Sequence, residues 1–90
     1  MDEVFAGYRI VGRVQGVGFR FWTARTAQEL GVRGTVRNRP DNSVEVLAAG
    51  PSEAIARFER LLAQGPPAAE VLDVERIPVA ADLPDRFEIR

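Results

Sequence analysis

The chain has 90 residues, of which 46% are hydrophobic, and a formal net charge of −1. This length predicts one domain over residues 1–90, with a single core of mostly aliphatic side chains because aromatic residues are few. No apolar run is long enough for a transmembrane helix, and the acidic start lacks the apolar segment of a signal peptide, so we expect a cytoplasmic protein. The charge balance argues against nucleic acid or a membrane surface as a partner.

Histidine and cysteine are both absent, and this restricts the chemistry that the chain can perform. The side chains that most often act as bases and nucleophiles near neutral pH are missing, as are the ligands of common zinc sites. Any catalysis must therefore use carboxylates, arginines, amides, hydroxyls or bound water. All twelve cationic side chains are arginine. Several fall in the first half of the chain, where they could present positive charge to a small anion.

The first thirty residues predict a strand, a loop and a helix. Residues 7–14 alternate between apolar and polar positions, as a strand does, and residues 15–20 form a loop with two glycines. Residues 21–30 are predicted to form a helix, and Gly31 follows it at the position of a left-handed C-cap. The apolar stripe of this helix is expected to comprise Phe21, Ala24, Ala27 and Leu30.

The next segments predict a hairpin, a second helix and two further strands. Residues 32–38 and 43–49 alternate again, and the Pro-Asp-Asn turn between them favours a hairpin. Pro51 suits the start of a helix, whose buried stripe would comprise Ile55, Phe58, Leu61 and Leu62. Extended segments are expected at 71–79 and 86–90. The resulting order predicts an α+β, ferredoxin-like βαββαβ sandwich, with an antiparallel sheet, both helices on one face and a short C-terminal strand.

The loop of residues 15–20, Gln-Gly-Val-Gly-Phe-Arg, is the segment best suited to binding an anion. It precedes a helix, whose first turn carries unpaired backbone N–H groups and the positive end of the dipole. Two glycines let the backbone curl so that successive N–H groups point at one centre, which suits phosphate. Arg20 adds a guanidinium that can hold two phosphate oxygens. The missing third glycine and the missing Lys-Ser/Thr ending argue against dinucleotide and nucleotide sites.

Asn38 ends the second strand and is the other candidate site residue. Taken alone, it is either a turn-forming asparagine or an amide that positions a water molecule through hydrogen bonds. The neighbouring arginines, Arg33, Arg37 and Arg39, are expected to be solvated residues of the strand face. Trp22 is expected to be a packing residue.

Two runs of the sequence resemble the motifs of one family. Residues 12–20, Gly-Arg-Val-Gln-Gly-Val-Gly-Phe-Arg, closely resemble the signature of the acylphosphatases, and residues 30–38, Leu-Gly-Val-Arg-Gly-Thr-Val-Arg-Asn, resemble the family's second motif. There are two departures: Thr35 stands where the family commonly has an aromatic residue, and Asn42 where the hairpin commonly has glycine.

This resemblance implies an enzyme that hydrolyses the carboxyl–phosphate bond of acyl phosphates, with inorganic phosphate as product and inhibitor. It implies no metal and no cofactor, and we expect the protein to be a monomer. In that family the essential substrate-binding arginine corresponds to Arg20, and the asparagine that orients the attacking water corresponds to Asn38. The phosphate-binding backbone amides would be those of Gln15, Gly16, Val17, Gly18, Phe19 and Arg20.

Two other functions remain open. Ferredoxin-like sheets often bind RNA or small anionic ligands on their open face, so a non-catalytic binding module is the main alternative. An RNA-binding sheet should carry stacked aromatic residues in a basic strand, and these strands offer few. The second alternative is an acylphosphatase-like domain acting within a carbamoyl-handling maturation factor, a class of much longer proteins.

Overall fold

The computed structural model describes residues 2–90 and confirms the expected order of elements. No helix in this range is long and apolar enough to cross a membrane. Two helices and five strands are present: β1 (Glu3–Arg13), α1 (Phe19–Leu30), β2 (Arg33–Asn38), β3 (Val44–Pro51), α2 (Ser52–Gln64), β4 (Glu70–Ile77) and β5 (Phe87–Ile89).

The strands form one sheet in the order β4-β1-β3-β2-β5. β1 lies between β4 and β3 and is antiparallel to both, and β2 is antiparallel to β3. The short β5 runs parallel to β2, with Phe87 opposite Gly34, so the complete sheet is mixed. The two helices contact each other and pack on the same face, as right-handed crossovers require. The ferredoxin-like α+β sandwich is therefore confirmed.

The core lies between the sheet and the two helices. Tyr8 and Ile10 of β1 point into it, and α2 contributes Ile55, Phe58 and Leu62, all buried. The rings of Phe58 and Phe87 meet edge to face with their centroids 6.0 Å apart, which joins α2 to the β5 edge. The α2 stripe was thus predicted correctly except for Leu61, which is only half-buried.

The expected apolar stripe of α1 is wrong at its first residue. Phe21 is 78% exposed, and the core position at this end belongs to Phe19, which is 2% exposed. The helix begins two residues earlier than predicted. A helix turns by about 100° per residue, so residues spaced by three move gradually around the helix instead of staying on one face. Over nine residues this places Phe21 about half a turn from Leu30. The buried residues follow the helical period instead: Phe19, Thr23, Ala24, Thr26 and Ala27.

The turn between β2 and β3 is held by several hydrogen bonds. Arg39 donates its N–H to the carbonyl of Ser43 (2.9 Å), and Asn42 adopts a φ of 75°. Asparagine tolerates this left-handed conformation better than most residues, which explains how it can stand where glycine is common. Asp41 accepts hydrogen bonds from the N–H of Ser43 (3.0 Å), from its hydroxyl (2.5 Å) and from Arg9 (2.9 Å). These donors hold the pKa of Asp41 well below its usual range.

We expect Asp41→Asn to weaken the pH dependence of stability on the acid side. A carboxyl whose pKa is lowered by folding stabilises the protein above its unfolded pKa, and this contribution is lost as the pH falls towards the folded value. The free energy of unfolding of the wild type should therefore exceed that of Asp41→Asn at neutral pH. The difference should shrink between about pH 5 and about pH 2. Urea unfolding across this range measures it.

Asp82→Asn is the matched control, because Asp82 forms no ion pair or side-chain hydrogen bond within residues 2–90. It should leave the acid dependence close to that of the wild type. A stability difference between Asp41→Asn and wild type that stays constant with pH would contradict the proposed role of this carboxylate.

Candidate active site

The loop between β1 and α1 curls because two of its glycines adopt left-handed backbone conformations. Gly16 has a φ of 75° and Gly18 a φ of 77°. A Cβ built on either residue would meet no atom within 4 Å. The requirement for glycine is therefore one of backbone conformation and not of space.

This curl leaves a row of backbone N–H groups without protein partners. Within the described chain, none of the N–H groups of residues 15–20 donates a hydrogen bond to another residue. The first backbone bond of this region runs from Trp22 N to the carbonyl of Gly18 (3.0 Å), where the helix begins. Gly18 is the N-cap of α1, and the first turn holds no acidic side chain. The N-terminus of α1 is therefore available to an anion.

Arg20 projects from the first turn beside these groups. Its neighbour Phe19 is buried in the core and meets Trp22 edge to face, with the ring centroids 5.5 Å apart, which anchors the start of the helix. Arg20 itself is exposed. No carboxylate within residues 2–90 lies close enough to pair with its guanidinium. A guanidinium held next to free N–H groups and free of acidic neighbours favours a phosphate ligand.

Asn38 lies on the same side of the sheet as the helices. It is the last residue of β2 and pairs with Val44, a core residue, so its side chain belongs to the helix-facing side. Its amide forms no hydrogen bond with any described residue. Asn38 is half-buried, and the C=O and NH2 of its side-chain amide are free to orient a small ligand or a water molecule.

The loop, Arg20 and Asn38 meet in one pocket of about 250 Å³, which we call the anion pocket. The structure thus brings together two residues that are 18 positions apart in the sequence. Gln15 and Val17, also predicted as phosphate-binding residues, do not line the pocket, and Val17 packs against the core. The lining residues are Val14, Gly16, Gly18, Phe19, Arg20, Phe21, Asn38 and Ile89.

The side chain of Gln15 joins the loop to the hairpin turn. Its Nε2 donates to the carbonyls of Arg39 and Ser43, both at 2.9 Å. These bonds fix the loop relative to the residue that follows Asn38 in the chain. This contact could not be predicted from the sequence, because nothing in the spacing of Gln15 and the turn indicates which carbonyls lie nearby.

Most arginines of the first half are paired with carboxylates on the open face of the sheet. Arg33 forms two bonds with Glu3 (2.8 and 2.9 Å), and Arg37 binds Glu45 (2.8 Å). The bond from Arg33 lowers the pKa of Glu3. Phe5, the one aromatic residue on this face within residues 2–90, lies under the Arg33 guanidinium, 5.7 Å from it. A face with paired charges and one covered ring does not suit RNA.

Comparisons with known proteins identify the family. A sequence model described as acylphosphatase matches residues 6–89. The chain is 56% identical over 82 residues to an acylphosphatase of Nitrobacter hamburgensis, covering 91% of this chain and 83% of that protein. Among solved structures, an acylphosphatase from Coxiella burnetii has a TM-score of 0.92 at 31% identity and covers 99% of this chain and 94% of its own. The acylphosphatase from Bacillus subtilis has a TM-score of 0.85 at 35% identity, covering 96% and 97%. The chain belongs to the acylphosphatase family.

Proposed function

We propose that the anion pocket is where this acylphosphatase cleaves the carboxyl–phosphate bond of a small acyl phosphate. One observation supports this most strongly: residues 16 and 18–20, whose N–H groups have no partner in the described chain, share a single pocket with the unpaired Arg20 guanidinium and the free Asn38 amide. The first two sets of donors suit the phosphoryl oxygens, and the third suits the attacking water. No side-chain base is needed in this arrangement, which fits a chain without histidine.

Substrate binding would begin with the phosphoryl group at the N-terminus of α1. The loop N–H groups and Arg20 would hold its oxygens and offset their negative charge. Phosphoryl transfer passes through a loose transition state, so positioning and charge stabilisation account for most of the catalysis. Inorganic phosphate, the product, would bind to the same donors and would therefore also be a competitive inhibitor.

In the chemical step, the oxygen of a water held by Asn38 attacks phosphorus in line with the leaving carboxylate. The new P–O bond forms as the bond between phosphorus and the carboxyl oxygen breaks, and its electron pair leaves with the carboxylate. The proton of the water passes to a phosphoryl oxygen of the substrate. The products are the free carboxylate and inorganic phosphate. A carboxylate of low pKa leaves without protonation, so a general acid is not required.

We further propose that the protein acts as a cytoplasmic monomer, without a nucleic-acid or membrane partner. All the groups that the proposed mechanism uses, the loop N–H groups, Arg20 and Asn38, belong to one chain. The net charge of −1 and the paired arginines of the open face make polyanions poor partners.

Arg20→Ala should lower kcat/KM for benzoyl phosphate by at least ~10²-fold, because it removes the charged donor at the developing charge. The inhibition constant of inorganic phosphate should increase in the same variant, because phosphate loses the same donor. Arg20→Lys should recover only part of the activity, since lysine cannot bind two oxygens in the fixed geometry of a guanidinium. Assays in EDTA, with circular dichroism to check folding, measure these effects.

Arg13→Ala is the matched control for Arg20→Ala. Arg13 is exposed, pairs with no carboxylate in the described chain and precedes the loop, but it does not line the pocket. Its replacement removes the same charge and should change kcat/KM less than threefold by screened electrostatics alone. A folded Arg20→Ala protein with wild-type activity would exclude the anion pocket as the active site.

Asn38→Ala should mainly lower kcat, by about 10²-fold, and leave phosphate inhibition within about threefold of wild type. The amide positions the water, whereas the loop and Arg20 bind the phosphate. Asn42→Gly is the control, because it removes an asparagine amide from the same hairpin and keeps a residue that tolerates the φ of 75°. Loss of phosphate inhibition in parallel with kcat would identify Asn38 as a phosphate ligand instead.

Gln15→Leu should lower kcat by about tenfold and the free energy of unfolding by about 2 kcal/mol, since two hydrogen bonds to turn carbonyls are lost. If Gln15 acts by positioning Asn38, Gln15→Leu has nothing left to misplace in a protein that already carries Asn38→Ala. In that background Gln15→Leu should therefore lower kcat by less than about twofold. The double-mutant cycle in kcat separates this positioning role from a general loss of stability. Equal losses in both backgrounds would rule out coupling between the two residues.

A further inference from the structure

A second and larger cavity adjoins the anion pocket. It is a groove of about 730 Å³ between α1 and β5, and we call it the acyl groove. It shares three lining residues with the anion pocket: Gly18, Phe21 and Ile89. The two cavities therefore adjoin at the N-terminus of α1, where the phosphoryl group is proposed to bind.

The groove leads away from the anion pocket along the helix. Its helical wall includes Trp22 and Ala24 and a row formed by Phe21, Arg25 and Gln28. The spacings of four and three residues place this row on one face of the helix over about 10 Å. The other wall is formed by Ile89 and Phe87 of β5. Because β5 is parallel to β2, Ile89 lies beside the end of β2 that carries Asn38, and Phe87 lies farther along. The polar residues Arg25 and Gln28 are at the far end.

The section next to the anion pocket is apolar and exposed. Phe21 is 78% exposed and Ile89 is 42% exposed. They are two of the three exposed large hydrophobic residues within 2–90, and the third, Leu72, lies on β4 at the opposite edge of the sheet. Covering apolar surface of this kind with an apolar group is favourable. Two such residues at the junction of the cavities mark a contact for whatever is attached to the bound phosphate.

We propose that the acyl groove binds the acyl group of the substrate and favours acyl phosphates with an aromatic or branched apolar group next to the carbonyl. This inference rests on the proposed function, because it requires the phosphoryl group to be in the anion pocket. The phosphate end and the acyl end of the substrate are joined by one oxygen. The acyl group must therefore emerge beside the phosphate, where Phe21 and Ile89 form opposite walls. Phe21 is thus a specificity-determining residue.

The test compares acetyl phosphate, which has a single methyl group, with benzoyl phosphate in the wild type and in Phe21→Ala. We expect the ratio of kcat/KM for benzoyl phosphate to that for acetyl phosphate to fall about tenfold in the variant, the scale of a lost contact in an apolar site. The intrinsic reactivity of each compound is the same with both proteins, so a change in the ratio reports on the groove. Phe21→Leu keeps an apolar side chain and should retain most of the wild-type ratio.

Leu72→Ala is the matched control, because it removes an exposed large hydrophobic residue far from both cavities and should leave the ratio unchanged. A ratio that is the same in wild type and Phe21→Ala, with both compounds hydrolysed, would overturn the acyl groove and leave the anion pocket intact. Hydrolysis of neither compound by the wild type would instead overturn the proposed function. Inorganic phosphate inhibition, measured on each protein, reports separately on the anion pocket.

Discussion

The site depends on backbone N–H groups that the fold leaves without partners. In most of a protein such groups are paired within helices and sheets, and an unpaired one that is buried is costly. Here Gly16 and Gly18 are exposed, so water can satisfy the loop when no ligand is bound. The left-handed glycines direct the row of N–H groups, and the burial of Phe19 fixes the helix from which it extends. An anion bound in the proposed site would replace water at donors that are already in place.

The proposed site also requires that the loop before α1 and the end of β2, which are distant in sequence, lie at a fixed separation. The sheet register sets where β2 ends, and the hairpin bonds of Asp41 and Ser43 define the turn that follows. Gln15 then connects the loop to this turn across 24 and 28 residues of sequence. Arg20 and Asn38 therefore keep their relation through backbone contacts and one amide side chain. Within residues 2–90 neither side chain is held by a hydrogen bond of its own, so both are free for the proposed substrate.

The fold could be predicted from the sequence, and Arg20 and Asn38 could be selected as candidate site residues, because each inference depends on a local pattern. Alternation revealed the strands, the glycine pair located the loop, and two motifs together indicated the family. The position of Phe21 was missed because a repeat of three resembles a helical stripe over a few residues and drifts over nine. The contribution of Ile89 was missed because it depends on parallel pairing between β5 and β2, which short strands do not encode locally.

The anion pocket occupies only part of the fold. The anion pocket draws on the loop, α1, β2 and β5, and none of its lining residues comes from α2 or β4. β4 is an outer strand with β1 as its neighbour in the sheet, and much of its surface is exposed. Local opening of the sheet is expected to cost least at an edge of this kind. Surface substitutions along β4 can therefore adjust tolerance to heat and denaturant without replacing any residue that lines the anion pocket.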